Sequence, residues 1–295
     1  MDRMKLNAHP RLNLTAGIAS VTVASILVAL KLWALAETGA LSVAASLADS
    51  ALDLMISAAG LAAIAYAARP PDDDHRFGHS SAEDLAALGQ ALFITVSSVV
   101  IAVAALRRLA LPDDGRIEAE GAGIAVMLIS VALTMGLVLW QGHVARQTGN
   151  RVVQADRLHY LGDLIPNLGA IVALIASSRF GLPQVDSVVA LLAAAILLRG
   201  ALRIGRGAWD ALMDRSADPG TIAGIENIVA GWPGVHGHHD LKTRTSGSRL
   251  FVNLHIELDG TQTLDQAHGI AAGLKRAILE AYPQADVIIH KDPLR

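Results

Sequence analysis

The sequence predicts an α-helical membrane protein with six transmembrane helices, followed by a small α+β domain with the order α-β-β-α-β. Of its 295 residues, 53% are hydrophobic and 17% are charged, and the mean hydropathy of +0.43 exceeds that of water-soluble proteins. Six apolar runs are each near the roughly 20 residues that cross a bilayer. They cover Leu14–Ala36, Leu41–Ala68, Leu85–Leu106, Gly121–Trp140, Leu158–Ser177 and Val185–Leu202. The runs lack the period-two alternation of barrel strands, so we expect helices.

Composition also bears on other classes of protein. The absence of cysteine excludes disulfides and thiolate metal sites. A net charge of −3, without a dense basic segment, does not favour nucleic-acid binding. The first apolar run is too long for the core of a cleaved signal peptide, and we expect it to remain as a membrane span.

The distribution of Lys and Arg predicts that both termini lie in the cytoplasm. One side of a six-span protein would hold Arg3, Lys5, Arg11, Arg69, Arg76, Arg146, Arg151, Arg203 and Arg206. The other side would hold Arg107, Arg108, Arg116 and Arg179. The excess on the first side favours a cytoplasmic position for it, although the adjacent pair at 107 and 108 opposes this bias.

The chain becomes polar after Leu202, and we divide it into a transmembrane domain, 1–207, and a second domain, 208–295. In the second domain, Ile222–Ala230 has the pattern of a short helix, and His239–Thr245 with Leu250–Leu258 has the pattern of a hairpin. The segment LDQAHGIAAGLKRAILEAY has helical period, and ADVIIH is typical of a final strand. Alternation places four apolar residues on one face of the second strand: Val252, Leu254, Ile256 and Leu258.

Two carboxylates lie inside the second apolar run, in the stretch SLADSALDL. A charge at the centre of a bilayer costs about 2.5 to 3.5 kcal/mol on insertion scales, so such residues indicate a functional site. At a spacing of four, Asp49 and Asp53 share one face of the helix. Serines at 46, 50 and 57 lie close to that face and extend a polar stripe, which we expect to face the interior of the bundle.

The fifth run repeats this pattern in ADRLHYLGDLIPN. His159 and Asp163 are four residues apart, and Asp156 lies one turn earlier on nearly the same face. If the two stripes face each other, three carboxylates and one imidazole form a set suited to a tetrahedral divalent ion such as Zn²⁺. A polar contact between helices is the alternative for any single residue. An intramembrane aspartyl protease fits less well, because its two carboxylates must share a water from opposite helices.

The loop after the second span, PDDDHRFGHSSAED, offers a second group of oxygen and nitrogen ligands. His75 and His79 are four residues apart, and three aspartates precede them: Asp72, Asp73 and Asp74. A short turn could close these side chains on a cation. The alternative is an acidic, solvated loop.

The C-terminal domain holds six of the eleven histidines: His236, His238, His239, His255, His268 and His290. Asp292 lies two residues after His290. The three predicted strands could bring His239, His255 and His290 together, although alternation alone does not fix the direction of His255. Scattered surface histidines are the alternative.

The chain resembles the cation diffusion facilitator family of divalent metal transporters, and within it the bacterial iron and zinc efflux branch. The motifs that carry this resemblance run nearly from end to end: LADSALDL, DDDHRFGHSSAEDLAAL, ADRLHYLGDLIPN, GHHDLKTRTSG, QAHGIA and DVIIHKDP. The resemblance implies a homodimer in a bacterial inner membrane that exchanges cytoplasmic Zn²⁺, or a similar ion such as Cd²⁺ or Fe²⁺, for protons by alternating access.

The resemblance also implies three metal sites. The transport site would consist of Asp49, Asp53, His159 and Asp163. The loop site would consist of Asp72, His75 and His79. A binuclear site in the C-terminal domain would consist of His239, His255, His268, His290 and Asp292, with Asp292 as the bridging ligand. Metal at the last site would hold two cytoplasmic domains together.

Two residues depart from the family pattern. Ser81 stands where relatives often carry lysine, so a charge pair there is expected to be absent. Lys291 stands where relatives commonly have glutamine, which would place a cation between His290 and Asp292 and weaken metal binding. His236 and His238 have no role that the resemblance assigns.

The residues themselves suggest a mechanism in which metal and protons compete for one set of ligands. A histidine suits this exchange because its unperturbed pKa is about 6.5. One alternative is a membrane-anchored metal sensor whose C-terminal domain dimerises on metal, but an anchor has no use for buried acids. A passive channel is a second alternative, and a membrane hydrolase, which would need a nucleophile and base, is a third. Ligand type leaves Zn²⁺, Cd²⁺, Fe²⁺, Co²⁺ and Mn²⁺ open.

Overall fold

The computed structural model describes residues 10–38, 41–110, 121–180 and 185–294. Six long helices come first: α1 (Pro10–Thr38), α2 (Leu41–Ala67), α3 (Ser81–Ala110), α4 (Gly121–Thr148), α5 (Arg151–Phe180) and α6 (Val185–Leu212). The C-terminal elements are α7 (Pro219–Ala230), β1 (Gly237–Ser246), β2 (Arg249–Leu258), α8 (Leu264–Ala281) and β3 (Ala285–Pro293). Arg3, Lys5 and Arg116, which contribute to the orientation argument, lie outside the described residues.

The first domain is the predicted helical membrane domain. Five segments of the described chain are long and apolar enough to cross a membrane: Arg11–Glu37, Ser46–Ala67, Ser81–Arg107, Leu128–Thr148 and Ser187–Leu212. The remaining long helix, α5, is not among these five segments, and its first half carries the polar residues of ADRLHYLGD. The helices α4 and α6 continue to Thr148 and Leu212, beyond the ends of their apolar runs. The apolar runs therefore cover only part of these helices, because polar residues continue them past the apolar segment.

Small side chains allow the helices of this domain to pack closely. The most extensive helix contact joins α3 to α6, and α1 packs along α2. Ala87 of α3 and Ala201 and Ala208 of α6 are fully buried in this core. Residues of this size let helix backbones approach each other, which is how membrane helices gain packing energy without a hydrophobic driving force between them.

The second domain has the predicted order α-β-β-α-β. The strand order is β1-β2-β3, with β1 antiparallel and β3 parallel to β2. The helices begin at N-caps that the sequence supplies: Asp218 accepts a hydrogen bond from the Thr221 N–H, and Thr263 forms a capping box with Gln266. Residues of β2 form the centre of the core, and each is at most 2% exposed, as alternation predicted: Val252, Leu254, Ile256 and Leu258.

The turn between β1 and β2 is docked against the helical domain. The Gly247 N–H donates to Asp84 Oδ2 at 2.6 Å, and Arg151 donates to the other oxygen, Oδ1, at 2.5 Å. Ser246 Oγ is 2.8 Å from both Ser80 Oγ and Ser81 Oγ. Asp84 is only 1% exposed, so its carboxylate joins α3, α5 and the C-terminal domain away from water. Polar contacts of this kind are costly to break singly, because the remaining partner stays buried and unsatisfied.

Gly247→Ala is expected to loosen this junction. Gly247 has φ +52, and a Cβ there would lie 2.5 Å from the Ser80 carbonyl oxygen and 2.7 Å from Glu83 Oε2. The left-handed conformation alone costs a residue with a Cβ about 1 to 2 kcal/mol. We expect faster tryptic cleavage at Arg215, in the connection between α6 and α7, measured by gel electrophoresis of the full chain.

Gly269→Ala is the control for this substitution. No atom lies within 4 Å of a Cβ built at Gly269, which is exposed on α8. Alanine in a helix is favoured over glycine by about 0.5 to 1 kcal/mol, so this variant should be cleaved no faster than the unmodified protein. Equal cleavage rates for the two alanine variants would show that the turn is not held at Ser80.

Candidate metal sites

The polar residues of α2 and α5 face each other within the helical domain. Asp53, His159 and Asp163 each offer a ligand atom within 4.8 Å of the others, and we call these three residues the intramembrane cluster. His159 Nε2 lies 3.0 Å from Asp53 Oδ1, and these two side chains are 10% and 17% exposed. Burial strengthens the interaction between such groups and makes an unpaired carboxylate costly. The sequence prediction that the two helices face each other is therefore consistent with the structure.

Asp49 is placed differently from the other three predicted ligands. It lines the same cavity of about 210 Å³ as Asp53, His159 and Asp163, but its ligand atoms are outside the intramembrane cluster. Its side chain is exposed. Four residues along a helix correspond to about 6 Å, so Asp49 is about one turn from Asp53 on the same face of α2.

A second buried polar network lies one turn from the intramembrane cluster. Asp156 is 5% exposed and accepts hydrogen bonds from Ser20 Oγ and Gln141 Nε2, each at 2.6 Å. Ser57 Oγ lies 3.3 Å from its other oxygen and 2.9 Å from the hydroxyl of Tyr160. The network joins α1, α2, α4 and α5 and thereby fixes how α5 presents His159. Sequence reasoning placed Asp156 on this face but missed Ser20 and Gln141, which belong to apolar helices.

Sequence reasoning also missed Lys31 of α1. Its ammonium donates to Ser50 Oγ at 2.6 Å and to the Ser46 carbonyl oxygen at 3.1 Å, both on α2. The available signal was a single lysine inside the apolar segment Arg11–Glu37. Charged residues at such positions face the interior of a bundle and have partners there.

The loop between α2 and α3 brings its three predicted ligands together. Asp72, His75 and His79 form the loop cluster, with ligand atoms within 4.8 Å of each other. His79 Nε2 is 3.1 Å from Asp72 Oδ2, and His75 Nδ1 is 3.2 Å from Asp72 Oδ1. The His75 backbone N–H donates to Asp72 at 2.7 Å, which holds the pKa of this carboxyl below its usual range. Ionised oxygens and neutral imidazoles at these separations fit a Zn²⁺-type ion.

The sheet aligns three histidines as predicted. His239 is opposite His255 in the β1–β2 register, and His255 is opposite His290 in the β2–β3 register. Asp292 Oδ2 is 2.9 Å from His255 Nδ1 and 3.4 Å from His239 Nε2, while Oδ1 is 3.3 Å from His290 Nε2. The residues His239, His255 and Asp292 form the sheet cluster. The direction of His255, which alternation left open, is the face opposite the helices.

Two further residues around the sheet cluster differ from expectation. His268 is exposed on α8, and within the described residues it belongs to none of the three clusters. Glu257, which sequence reasoning missed, has its Oε1 atom 3.1 Å from His239 Nδ1. The signal was its position two residues after His255 on β2, where side chains share a face.

Lys291 does not lie between His290 and Asp292 in the manner expected. Consecutive side chains of a strand point to opposite faces, so Lys291 belongs to the face of β3 that carries Val287 and Ile289, both packed in the core. The expected cation between two ligands was wrong in this respect. Ser81, the other departure, uses its hydroxyl at the junction with Ser246.

These features define a class: a helical membrane protein with potential cation ligands inside its helical domain and a second group on its C-terminal sheet. Residues 17–213 match the family described as Cation efflux transmembrane domain, and residues 217–294 match Cation efflux protein, cytoplasmic domain. The chain therefore belongs to the cation efflux, or cation diffusion facilitator, family. The resemblance that its motifs indicated is confirmed.

Similar proteins cover both domains. The cation-efflux pump FieF of Serratia proteamaculans (strain 568) is 39% identical over 285 residues, 97% of this chain and 94% of the relative. FieF of Yersinia enterocolitica serotype O:8 / biotype 1B is 40% identical over 285 residues, with the same two coverages of 97% and 94%. Among solved structures, the metal-bound C-terminal domain of the CzcD transporter from Thermotoga maritima is 27% identical, with a TM-score of 0.24, and the match covers 25% of this chain and 87% of that chain.

The protonation of Asp292 provides a test of the sheet cluster. The contact with His255, followed by the charges of His290 and His239, holds the pKa of Asp292 below the ordinary range of an aspartate. Ionised Asp292 therefore contributes stability above its unfolded pKa, and this contribution is lost as pH falls through its lower folded pKa. In the metal-free domain 208–295, we expect a carboxyl ¹³C titration to show this depressed midpoint, and His255→Ala to raise it.

His238→Ala is the matched control for that titration. His238 is opposite Ile256 in the β1–β2 register, on the face of β1 away from Asp292. Its removal should leave the Asp292 midpoint unchanged. A midpoint of Asp292 that is unchanged by His255→Ala but shifted by His238→Ala would contradict the contacts of the sheet cluster.

Proposed function

We propose that this protein exports a divalent cation, Zn²⁺ first and Cd²⁺ or Fe²⁺ as alternatives, in exchange for protons. The proposal includes alternating access in a homodimer of a bacterial inner membrane, with both termini in the cytoplasm. It also includes the division into a transport domain, 1–207, and a C-terminal metal-binding domain, 208–295. Membership of the cation efflux family supports the general reaction, and the relatives named cation-efflux pump FieF support export of a cation.

The contact between His159 Nε2 and Asp53 Oδ1, at 3.0 Å, is the observation that carries the proton exchange. A carboxylate oxygen and an unprotonated imidazole nitrogen are both acceptors, so a hydrogen bond between them requires one proton. The same nitrogen is a metal ligand only after that proton has left. Metal binding at this nitrogen therefore requires the proton to leave the contact, and protonation of His159 or Asp53 would displace the metal.

Four groups would bind the transported ion: Asp49, Asp53, His159 and Asp163. Three carboxylate oxygens and one imidazole nitrogen suit tetrahedral Zn²⁺ and also accept Cd²⁺ or Fe²⁺. Three of the four already converge. Asp49 lines the same cavity and would join them when α2 moves relative to α5 during alternating access, as in other transporters with sites near the bilayer midplane.

The loop and sheet clusters would bind resident metal ions. In the loop, Asp72, His75 and His79 would hold one ion, and His79 Nδ1 has no hydrogen-bond partner among the described residues. On the sheet, the ligands would be His239, His255, His290 and Asp292, joined by His268 in a metal-bound homodimer. Zn²⁺ there would supply positive charge that holds the histidines and carboxylates of two domains together.

The proposed role is that of a transporter and not of an enzyme, and the FieF relatives, named as cation-efflux pumps, support it. A membrane-anchored metal sensor is the second candidate, because the sheet cluster could couple metal to dimerisation without transport. That candidate leaves Asp53, His159 and Asp163 without a role inside the helical domain. Burying three ionisable groups in a membrane protein is costly, so the intramembrane cluster favours the transporter.

Removal of one carboxylate tests the transport site. Asp53→Ala and Asp163→Ala are each expected to reduce proton-dependent Zn²⁺ uptake into inverted membrane vesicles to background. Each loss removes a charged ligand and leaves the remaining groups without the full set that a desolvated divalent ion needs. Zn²⁺ uptake is measured with an indicator trapped inside the vesicles.

Asp73→Ala is the control for these variants. Asp73 lies in the loop with a fully exposed side chain, and its ion pair with Arg76, at 3.6 Å, is also exposed. Such surface pairs contribute little, so transport should remain near the level of the unmodified protein. Full transport by Asp53→Ala or Asp163→Ala would refute the proposed site.

Proton counter-transport separates an exchanger from a channel or sensor. In sealed proteoliposomes with a trapped pH dye, inward Zn²⁺ movement should be accompanied by outward proton movement, because one ligand set holds either cargo. The signal should disappear in Asp53→Ala. Zn²⁺ flux without proton movement would favour the passive channel, and absence of both fluxes in the unmodified protein would favour the sensor.

A further inference from the structure

Lys31 lies inside the helical domain, beside the intramembrane cluster. It belongs to the apolar segment Arg11–Glu37 of α1, and its side chain is half-buried. Its ammonium donates to Ser50 Oγ at 2.6 Å and to the Ser46 carbonyl oxygen at 3.1 Å. A lysine has three N–H donors, so these two bonds fix the position of the charge against α2.

Both acceptors of Lys31 are uncharged, and they hold it on the stripe that carries the metal ligands. Ser46, Ser50 and Asp53 follow each other at intervals of four and three residues, so they share a face of α2. The ammonium interacts electrostatically with the carboxylates of Asp53, Asp163 and Asp49. The serine contacts thus place a fixed positive charge within range of every carboxylate of the proposed transport site.

The charge of this lysine changes the balance of the site. With all three carboxylates ionised, as metal binding requires, they carry a charge of about −3, and the ammonium reduces the sum to about −2. A divalent cation brings that sum to zero, whereas without the lysine it would leave one uncompensated negative charge. Asp53 and Asp163 are partly buried, unlike the exposed Asp49. Charges withdrawn from water interact more strongly than at a surface, so this difference affects how tightly the site holds its cargo.

We propose that Lys31 is a fixed counter-cation of the transport site, which weakens metal binding enough for release and matches the site to ions of charge +2. This inference rests on the proposed function. Lys31 acts through space, on the carboxylates, and is therefore a positioning and specificity residue. Repulsion between the ammonium and the cargo raises the energy of the loaded state, which speeds release at the cost of affinity.

Transport kinetics of neutral and charged variants test the proposal in proteoliposomes. Lys31→Met removes the charge and keeps the length of the side chain, and Lys31→Gln keeps a donor for Ser50. We expect KM for Zn²⁺ to fall roughly tenfold or more in both, because a repulsive charge near the cargo is lost. We expect kcat to fall with it, because a more tightly held ion is released more slowly. Lys31→Arg should restore both constants toward those of the unmodified protein.

Each outcome decides between a charge and a structural role. A lower kcat with unchanged KM in the neutral variants would overturn the proposal, since loss of the contact between α1 and α2 would explain it. An Arg variant that matches the neutral variants would also overturn it. If Lys31→Met does not fold, Lys31→Gln gives the same decision. If Asp53→Ala blocks transport while Lys31→Met and Lys31→Gln keep the normal KM, the proposed role of Lys31 is refuted and the proposed function stands. If the unmodified protein transports nothing, the proposed function itself is refuted.

Discussion

The need to compensate negative charge inside a membrane domain determines much of this structure. Asp53 and Asp163 lie within the helical domain, where an unpaired carboxylate costs several kcal/mol. Positive partners are therefore required at every stage of transport. The proposed cycle offers three such partners: a proton between His159 and Asp53, the ammonium of Lys31 and the transported ion. Only the ammonium remains throughout that cycle. This constraint favours the proposed exchange of metal for protons, because removing one mobile partner requires another.

One face of α2 organises the contacts that meet this constraint. Ser50 binds Lys31 of α1, Asp53 contacts His159 of α5, and Ser57 contacts Asp156 and Tyr160. These three positions of α2 are separated by three and four residues, the spacing of a helical stripe. The stripe therefore sets both the rotation of α2 and the partners of its neighbours. The proposed metal ligands lie between the ammonium of Lys31 on one side and the buried, hydrogen-bonded carboxylate of Asp156 on the other.

Local sequence patterns predict the parts of the site that depend on one element. The interval between Asp49 and Asp53, or between His159 and Asp163, fixes which residues share a helix face, and strand order predicts the alignment of His239, His255 and His290. The contacts of Lys31, Glu257 and Gly247 depend on helix rotation, strand register or domain docking, which no local pattern encodes. Lys291 shows the same limit. Its position between His290 and Asp292 in the sequence suggested that its charge lies between them, whereas consecutive side chains of β3 point to opposite faces of the sheet.

The charge count also bears on which ions the site accepts. With Lys31 in place, the net charge of the proposed site is opposite and equal to that of a divalent cation. A monovalent ion would leave negative charge in a poorly solvated cavity, and a trivalent ion would leave positive charge, so both pay an electrostatic cost that a divalent ion avoids. Ligand chemistry then chooses among divalent ions, and His159 favours Zn²⁺ or Cd²⁺ over Mg²⁺ and Ca²⁺, which prefer oxygen ligands alone. In the proposed site, valence and softness are therefore set by different residues, Lys31 for the first and His159 for the second.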